Sequence, residues 1–131
     1  MVYVAIQTAG AIAGVQLAHV MFDVPAVQVS ETVRAGTGLW VSESVATFGL
    51  VLAILLTVQN SPQSVGVIAG LSIASAYWFT ASTSFANPAV TIGRMATTTF
   101  AGIAPASAPA FIGAQFAGAV LALAMARHFA R

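Results

Sequence analysis

The stretch SFANPAV, residues 84–90, decides the fold because it interrupts a long apolar part of the chain. Asn87 suits a helix N-cap and Pro88 suits the first helical position, so a helix is predicted to begin here. Residues 87–98 would extend about 18 Å as a helix, a little over half of the ~30 Å core of a bilayer. We therefore predict a re-entrant half-helix over residues 87–98. Its non-helical flank must be buried by protein or must line an aqueous cavity.

The charge content of the whole chain indicates whether it lies in water or in lipid. Of the 131 residues, 59% are hydrophobic and 5% are charged, with four Lys plus Arg and three Asp plus Glu. Soluble domains carry roughly 25% charged residues, so this composition indicates a membrane protein. It excludes nucleic acid as a partner because no basic patch can neutralise phosphates. The chain has no Cys, and we expect no metal and no cofactor.

Four apolar segments are predicted to span the membrane, at residues 2–22, 39–58, 65–81 and 108–126. Residues 23–38 hold three of the charges and should form an external loop, and Arg127 and Arg131 favour a cytoplasmic C-terminus. His19 and His128 lie near the ends of spans, where polar residues at the lipid interface are ordinary. Residues 1–131 are thus predicted to form one membrane domain.

An internal repeat relates the first and last spans. Residues 7–11, QTAGA, match residues 115–119, QFAGA, so that Gln7 and Gly10 correspond to Gln115 and Gly118. Two interpretations stay open. Small residues promote close helix packing in membranes in general, and a duplicated transport architecture would also repeat such an element.

These motifs together resemble one family. Asn87-Pro88-Ala89 follows an apolar segment, Glu43 stands in the motif ESVATF of residues 43–48, and the Gln repeat flanks both. This combination is similar to the aquaporin and aquaglyceroporin (major intrinsic protein) family, as its helices three to six and its second re-entrant loop. Residues 84–94 and 99–105 also look like a bacterial subgroup associated with arsenic resistance. The resemblance implies an all-α integral membrane fold, an aquaporin-like right-handed helical bundle present in part, with four transmembrane helices plus one half-helix.

The resemblance also implies roles for individual residues. Asn87, Pro88 and Ala89 would lie at the pore centre, and Glu43 would hold the backbone of the re-entrant loop. The alternative for Glu43 is a side chain that reaches headgroup water. The carbonyls that would accept from a passing solute belong to Thr83, Ser84, Phe85 and Ala86.

The selectivity filter would be formed by Ser75, Ser84 and Val90. The family usually places Arg at the position of Val90, so this lining is neutral and wide, and we expect relaxed selectivity towards glycerol and arsenous acid. Arg94 lies one helical turn further on the same face and could place a positive charge in the outer vestibule. The alternative is that Arg94 reaches headgroups or a neighbouring carbonyl.

The sequence therefore predicts a passive channel for water and small neutral solutes in the inner (plasma) membrane, not an enzyme. Its partners would be the lipid bilayer, these solutes and, in the full-length form, three further copies in a homotetramer. The chain lacks the family's first two helices and first Asn-Pro-Ala half-helix, so we expect a truncated copy. The alternative is a non-conducting helical membrane fragment or packing subunit.

Overall fold

Helices make up the regular secondary structure of residues 2–129, the part of the chain that the computed structural model describes. The three longest are apolar and run for 20, 24 and 22 residues. At ~1.5 Å per residue each is about 30 Å long or more, so by length and composition each can cross a bilayer. The elements in chain order are α1 (Val2–Met21), α2 (Thr37–Asn60), a 3₁₀ turn (Pro62–Ser64), α3 (Val65–Phe79), α4 (Pro88–Arg94) and α5 (Ala108–Phe129).

The third predicted span corresponds to a shorter helix than the sequence suggested. α3 has 15 residues, about 22 Å, and ends at Phe79 rather than at residue 81. The helix ends where the backbone of Thr80 becomes extended; the Thr80 N–H makes the last helical hydrogen bond, to the Ala76 carbonyl, which also accepts from the Thr80 hydroxyl. Length and composition alone therefore do not mark α3 as a membrane span.

α4 is also shorter than predicted, ending at Arg94 instead of residue 98. The carbonyl of Arg94 accepts from the Ile103 N–H at 3.2 Å, and that of Met95 accepts from the Ser30 N–H at 2.8 Å. These loop donors occupy carbonyls that a longer helix would use. The side chains of the following threonines bond to each other and to loop residues, which favours non-helical backbone.

The described residues form two compact units. The first comprises residues 2–35 with Asn87–Ile112, and the second comprises Gly36–Ala86 with residues 113–129. In the first unit α1 packs against α4, where a Cβ on Gly93 would come within 3.0 Å of the Ala11 Cβ. In the second, a Cβ on Gly118 would collide with the Ser44 carbonyl oxygen. Small residues thus bring helix backbones together within each unit.

The loop after α1 is fastened to the loop after α4 within the first unit. The Arg34 side chain is 9% exposed, and its Nε and Nη2 donate to the carbonyls of Gly102 and Phe100 at 2.8 and 2.7 Å. The Ala104 N–H donates to the Thr32 carbonyl at 2.8 Å. The sequence placed residues 23–38 in an external loop, but it did not reveal that the charge of Arg34 would be buried among carbonyls.

Candidate functional site

The centre of the second unit is a buried carboxylate. Glu43 lies in the second turn of α2 and is fully buried. Its Oε2 accepts from the Phe85 N–H at 3.3 Å, and its Oε1 accepts from the Ala86 N–H at 2.5 Å. Gln115, on α5 and 1% exposed, donates from Nε2 to the same Oε1 at 2.8 Å. One side chain therefore joins α2, α5 and the segment that precedes α4, which is the geometry that a loop scaffold requires.

The segment that Glu43 holds has an unusual backbone. Thr83, Ser84 and Ala86 have positive φ angles of 62°, 48° and 51°, and each such residue costs roughly 1–2 kcal/mol outside glycine. Their carbonyl oxygens accept no hydrogen bond from the described part of the chain. Strained, unpaired backbone of this kind clusters at functional positions, because the surrounding structure must enforce it.

Asn87 opens α4 as an N-cap. Its backbone is extended, and its Oδ1 accepts from the Ala89 N–H at 2.8 Å, with Pro88 at the first helical position. The capping bond orients the amide so that Nδ2 is left over, and within residues 2–129 this nitrogen makes no hydrogen bond. α4 thus begins with one amide donor available to a ligand.

The predicted filter residues of the second unit differ in environment. Ser75 is exposed on α3 and lines a cavity of about 200 Å³ together with Gly49, Ser72 and Phe79. Ser84 is 3% exposed, and its hydroxyl makes no hydrogen bond in the described part of the chain. Ser75 can therefore meet a ligand as it stands, whereas the Ser84 hydroxyl is covered.

Val90 belongs to the first unit and lines a cavity of about 230 Å³ between α1 and α4. Gly14 and Ala18 of α1 form one wall, and Arg94 lines the same cavity one turn after Val90. The structure thus brings Val90 and Arg94 to one cavity, with the cation at the carboxyl end of α4, where the helix dipole favours it.

Two contacts in the structure could not be predicted from the sequence. Gln115 was identified only as part of a repeat, and its bond to Glu43 joins positions 72 residues apart. His19, expected at the lipid interface, is 3% exposed and bonded through both ring nitrogens.

No cluster of three or more His, Cys, Asp or Glu able to hold a metal occurs among residues 2–129.

Long apolar helices, a short helix opened by Asn87-Pro88 and a loop held by a buried carboxylate define an all-α multi-pass membrane protein. The sequence is similar to the aquaglyceroporin AqpS of Rhizobium meliloti (strain 1021), with 54% identity over 125 residues. The chain belongs to the aquaporin and aquaglyceroporin family. The match covers 95% of this chain and 54% of the relative, so the chain spans about half the length of the curated protein that it matches. No family model matches the sequence, and no solved structure matches it.

Proposed function

We propose that this chain contributes the pore-lining half of a passive channel for water and small neutral solutes. The observation that carries the proposal is that the carbonyls of Thr83, Ser84 and Ala86 accept no hydrogen bond from residues 2–129. In a chain with 5% charged residues, such groups are tolerated at membrane depth only where protein buries them or where they line a water-filled path. Acceptors that protein buries would need protein donors, so the lack of such donors within residues 2–129 favours the water-filled path. No covalent step is involved, since permeation needs only exchange of hydrogen bonds.

The donor that complements these acceptors follows them directly in the sequence. Asn87 has a spare Nδ2, and α4 starts beside it with the positive end of its peptide dipoles. A neutral hydroxylic solute can accept from the amide and donate to carbonyls. A cation is repelled by the same dipole, which is a recognised device of water-selective pores. Asn87, Pro88 and Ala89 are therefore assigned to the pore centre, with Glu43 holding the loop.

The solute class follows from the side chain at residue 90. Val90 is apolar and uncharged, whereas an Arg there would add a cation and a fork of donors. We assign Ser75 and Ser84 to the filter as well, on the strength of the family resemblance. All three side chains are uncharged, and a neutral filter suits glycerol and arsenous acid as well as water. Arg94 lines the cavity of Val90 and would supply a positive charge in the outer vestibule.

The arrangement of the whole protein is inferred from the family. We assign it to the inner (plasma) membrane with its C-terminus in the cytoplasm, on account of Arg127 in the last turn of α5. In full-length form it would be a homotetramer with one pore per protomer. These statements concern the whole protein, of which the chain covers about half the length of its relative.

A chimera tests conduction directly. The 125 matched residues of the relative are replaced by those of this chain, and the purified protein is reconstituted into liposomes. The chain on its own is reconstituted in parallel. Stopped-flow light scattering should show faster water and glycerol entry for the chimera than for empty liposomes. If neither protein raises the rates, the chain is a non-conducting packing subunit and the proposal is wrong.

Substitution at Val90 tests the filter in the same chimera. Val90→Arg should slow glycerol and arsenous acid entry on the order of tenfold, equivalent to ~1.4 kcal/mol in barrier height, while water entry changes less. Val90→Ile is the matched control, because it adds only one methylene. Equal glycerol-to-water ratios in Val90→Arg and wild type would remove Val90 from the filter.

A further inference from the structure

Arg34 is a buried cation of the first unit that the proposed pore does not use. It lies in the loop after α1 and is 9% exposed. Its Nε donates to the Gly102 carbonyl at 2.8 Å, and its Nη2 donates to the Phe100 carbonyl at 2.7 Å. Hydrogen bonds from a charged donor are roughly twice as strong as those between neutral groups. The planar guanidinium therefore holds two carbonyls of the loop after α4 at once.

The peptide unit that accepts from Arg34 also bonds to the end of α4. The Gly102 carbonyl and the Ile103 N–H belong to one planar peptide unit, and the Ile103 N–H donates to the Arg94 carbonyl at 3.2 Å. Arg94 is the last residue of α4, where helix carbonyls need partners from outside the helix. A peptide unit that accepts from a cation is polarised and donates more strongly. The charge of Arg34 thus acts on the carboxyl end of α4 through a single peptide unit.

The position of this helix end determines the position of the filter residue in the first unit. α4 has seven residues, and Val90 lies about one turn before Arg94. Both residues line the cavity of about 230 Å³ that α1 closes on its other side. A helix of two turns contains few internal hydrogen bonds, so the contacts at its ends decide where it lies. Movement at Arg94 would therefore move Val90 as well.

The remaining contacts between the two loops do not depend on the Arg34 side chain. The Ser30 N–H donates to the Met95 carbonyl at 2.8 Å. The backbone N–H of Arg34 donates to the Ser107 hydroxyl at 3.1 Å. Replacing the side chain of Arg34 should thus leave the loops joined. What the side chain adds is the alignment of the peptide unit that bonds to α4.

Gly102 is closely surrounded on its other side. A methyl group on its Cα would overlap the Thr97 carbonyl oxygen and the Ser30 hydroxyl. The peptide unit that follows Gly102 is therefore enclosed between these atoms and the guanidinium of Arg34. A change at either residue must shift this peptide unit.

We propose that Arg34 is a positioning residue for the filter. It fixes the carboxyl end of α4 through the peptide unit between Gly102 and Ile103, and it thereby holds Val90 in place. A residue of the loop after α1 thus sets the size limit for the solute without touching the solute. This inference rests on the proposed function, because it needs Val90 to line the path. The attachment of α4 to Arg34 does not depend on conduction.

Amide hydrogen exchange in the chimera tests the attachment. Arg34→Gln should lower the protection of the Ile103 amide on the order of tenfold, because local opening becomes easier when the charged donor is lost. Glu31→Gln is the matched control, since it removes an exposed charge from the same loop, and it should leave this protection unchanged. Equal protection of Ile103 in the two variants would overturn the proposal.

Solute preference in conducting proteoliposomes tests the positioning. Arg34→Gln should raise ribitol entry relative to glycerol entry by about threefold, because a wall that is no longer fixed admits a larger polyol. A merely structural role would lower both rates together, through loss of folded protein, and would leave their ratio unchanged. Arg34→Lys keeps the charge without the planar fork and should shift the ratio in the same direction. A wild-type ratio in Arg34→Gln would show that Arg34 holds only the loop, and the proposal would be wrong.

Gly102→Ala displaces the same peptide unit without altering the cation. It should raise the ratio of ribitol to glycerol entry as Arg34→Gln does. Because both changes act through one peptide unit, the double variant should show less than the product of the two effects. Gly113→Ala is the control, since no described atom lies within 4 Å of its methyl group. Independent effects in the double variant would contradict the shared route to Val90.

The two measurements separate this inference from the proposed function. If exchange at Ile103 accelerates in Arg34→Gln but the chimera does not conduct, the attachment is real. The proposed function then fails, and the filter role of Arg34 fails with it. If the chimera conducts and Arg34→Gln changes neither exchange nor the solute ratio, only the role of Arg34 is overturned.

Discussion

The two copies of the Gln-x-x-Gly-Ala repeat have the same sequence pattern and opposite environments. On α5, Gln115 is buried and donates to Glu43, and Gly118 lies against the Ser44 backbone. On α1, Gln7 is exposed and donates to the hydroxyl of Tyr3 one turn away. Among the described residues, no atom lies within 4 Å of the place that a methyl group on Gly10 would take. Within residues 2–129, the buried copy of the repeat is the one whose Gln bonds to a carboxylate.

Removing the Glu43 carboxylate should lower the free energy of unfolding more than any other change at the two repeats. Glu43→Leu leaves the amides of Phe85 and Ala86 and the side chain of Gln115 without their acceptor. Each buried donor left unpaired costs ~1–3 kcal/mol, so we expect a loss of about 3 kcal/mol or more. The measurement is reversible unfolding in mixed micelles, followed by circular dichroism.

Glu43→Gln provides the control for that experiment. It keeps the shape and one acceptor oxygen but presents an NH₂ group to other donors, so its stability should fall between those of wild type and Glu43→Leu. A Glu43→Leu protein as stable as wild type would show that Gln115 and the loop are held by something else.

Replacing the two glycines of the repeats by alanine should change the stability of the protein in opposite directions. Gly118→Ala places a methyl group on the Ser44 carbonyl oxygen, and the helices must separate, at a cost of about 1–3 kcal/mol. Gly10→Ala meets open space and should stabilise α1 by up to ~1 kcal/mol through helix propensity. The same unfolding assay compares them. Destabilisation by both substitutions would mean that α1 is as closely packed as α5.

Replacing the two glutamine side chains of the repeats should give the smallest difference in stability. Gln115→Leu removes one hydrogen bond to a buried carboxylate and should cost about 1–2 kcal/mol, whereas Gln7→Leu should stay within ~0.5 kcal/mol of wild type. Gln115→Glu would place a second carboxylate beside Glu43 and should be worse than Gln115→Leu. Equal costs for Gln7→Leu and Gln115→Leu would erase the contrast between the two repeats.

Local signals in the sequence were sufficient to predict where helices begin. Asn87 caps α4 by accepting a hydrogen bond from Ala89, two residues further along, and Pro88 has a fixed φ angle. The start of α4 therefore needs no distant partner. The composition likewise predicts long apolar helices, because hydrophobicity is a property of each segment by itself.

The end of α4 and the burial of two side chains could not be predicted, because they depend on residues far away in the sequence. α4 ends at Arg94 because Ser30 and Ile103 donate to carbonyls at its end, and those contacts depend on how two loops meet. The burial of His19 and Arg34 has the same origin, since both bond to loop groups far away in the sequence. A side chain near a helix end is interpreted as interfacial until the loop that covers it is known.

The left-handed residues at Thr83, Ser84 and Ala86 have a consequence for the order of folding. A tetrapeptide of this sequence would not hold such angles alone, because each costs free energy outside glycine. The acceptor that compensates lies 42 and 43 residues upstream, and the amide that bonds to it is 72 residues further along than that acceptor. The segment can therefore take its shape only after α2 and α5 have inserted and met, which makes it a late event in biogenesis.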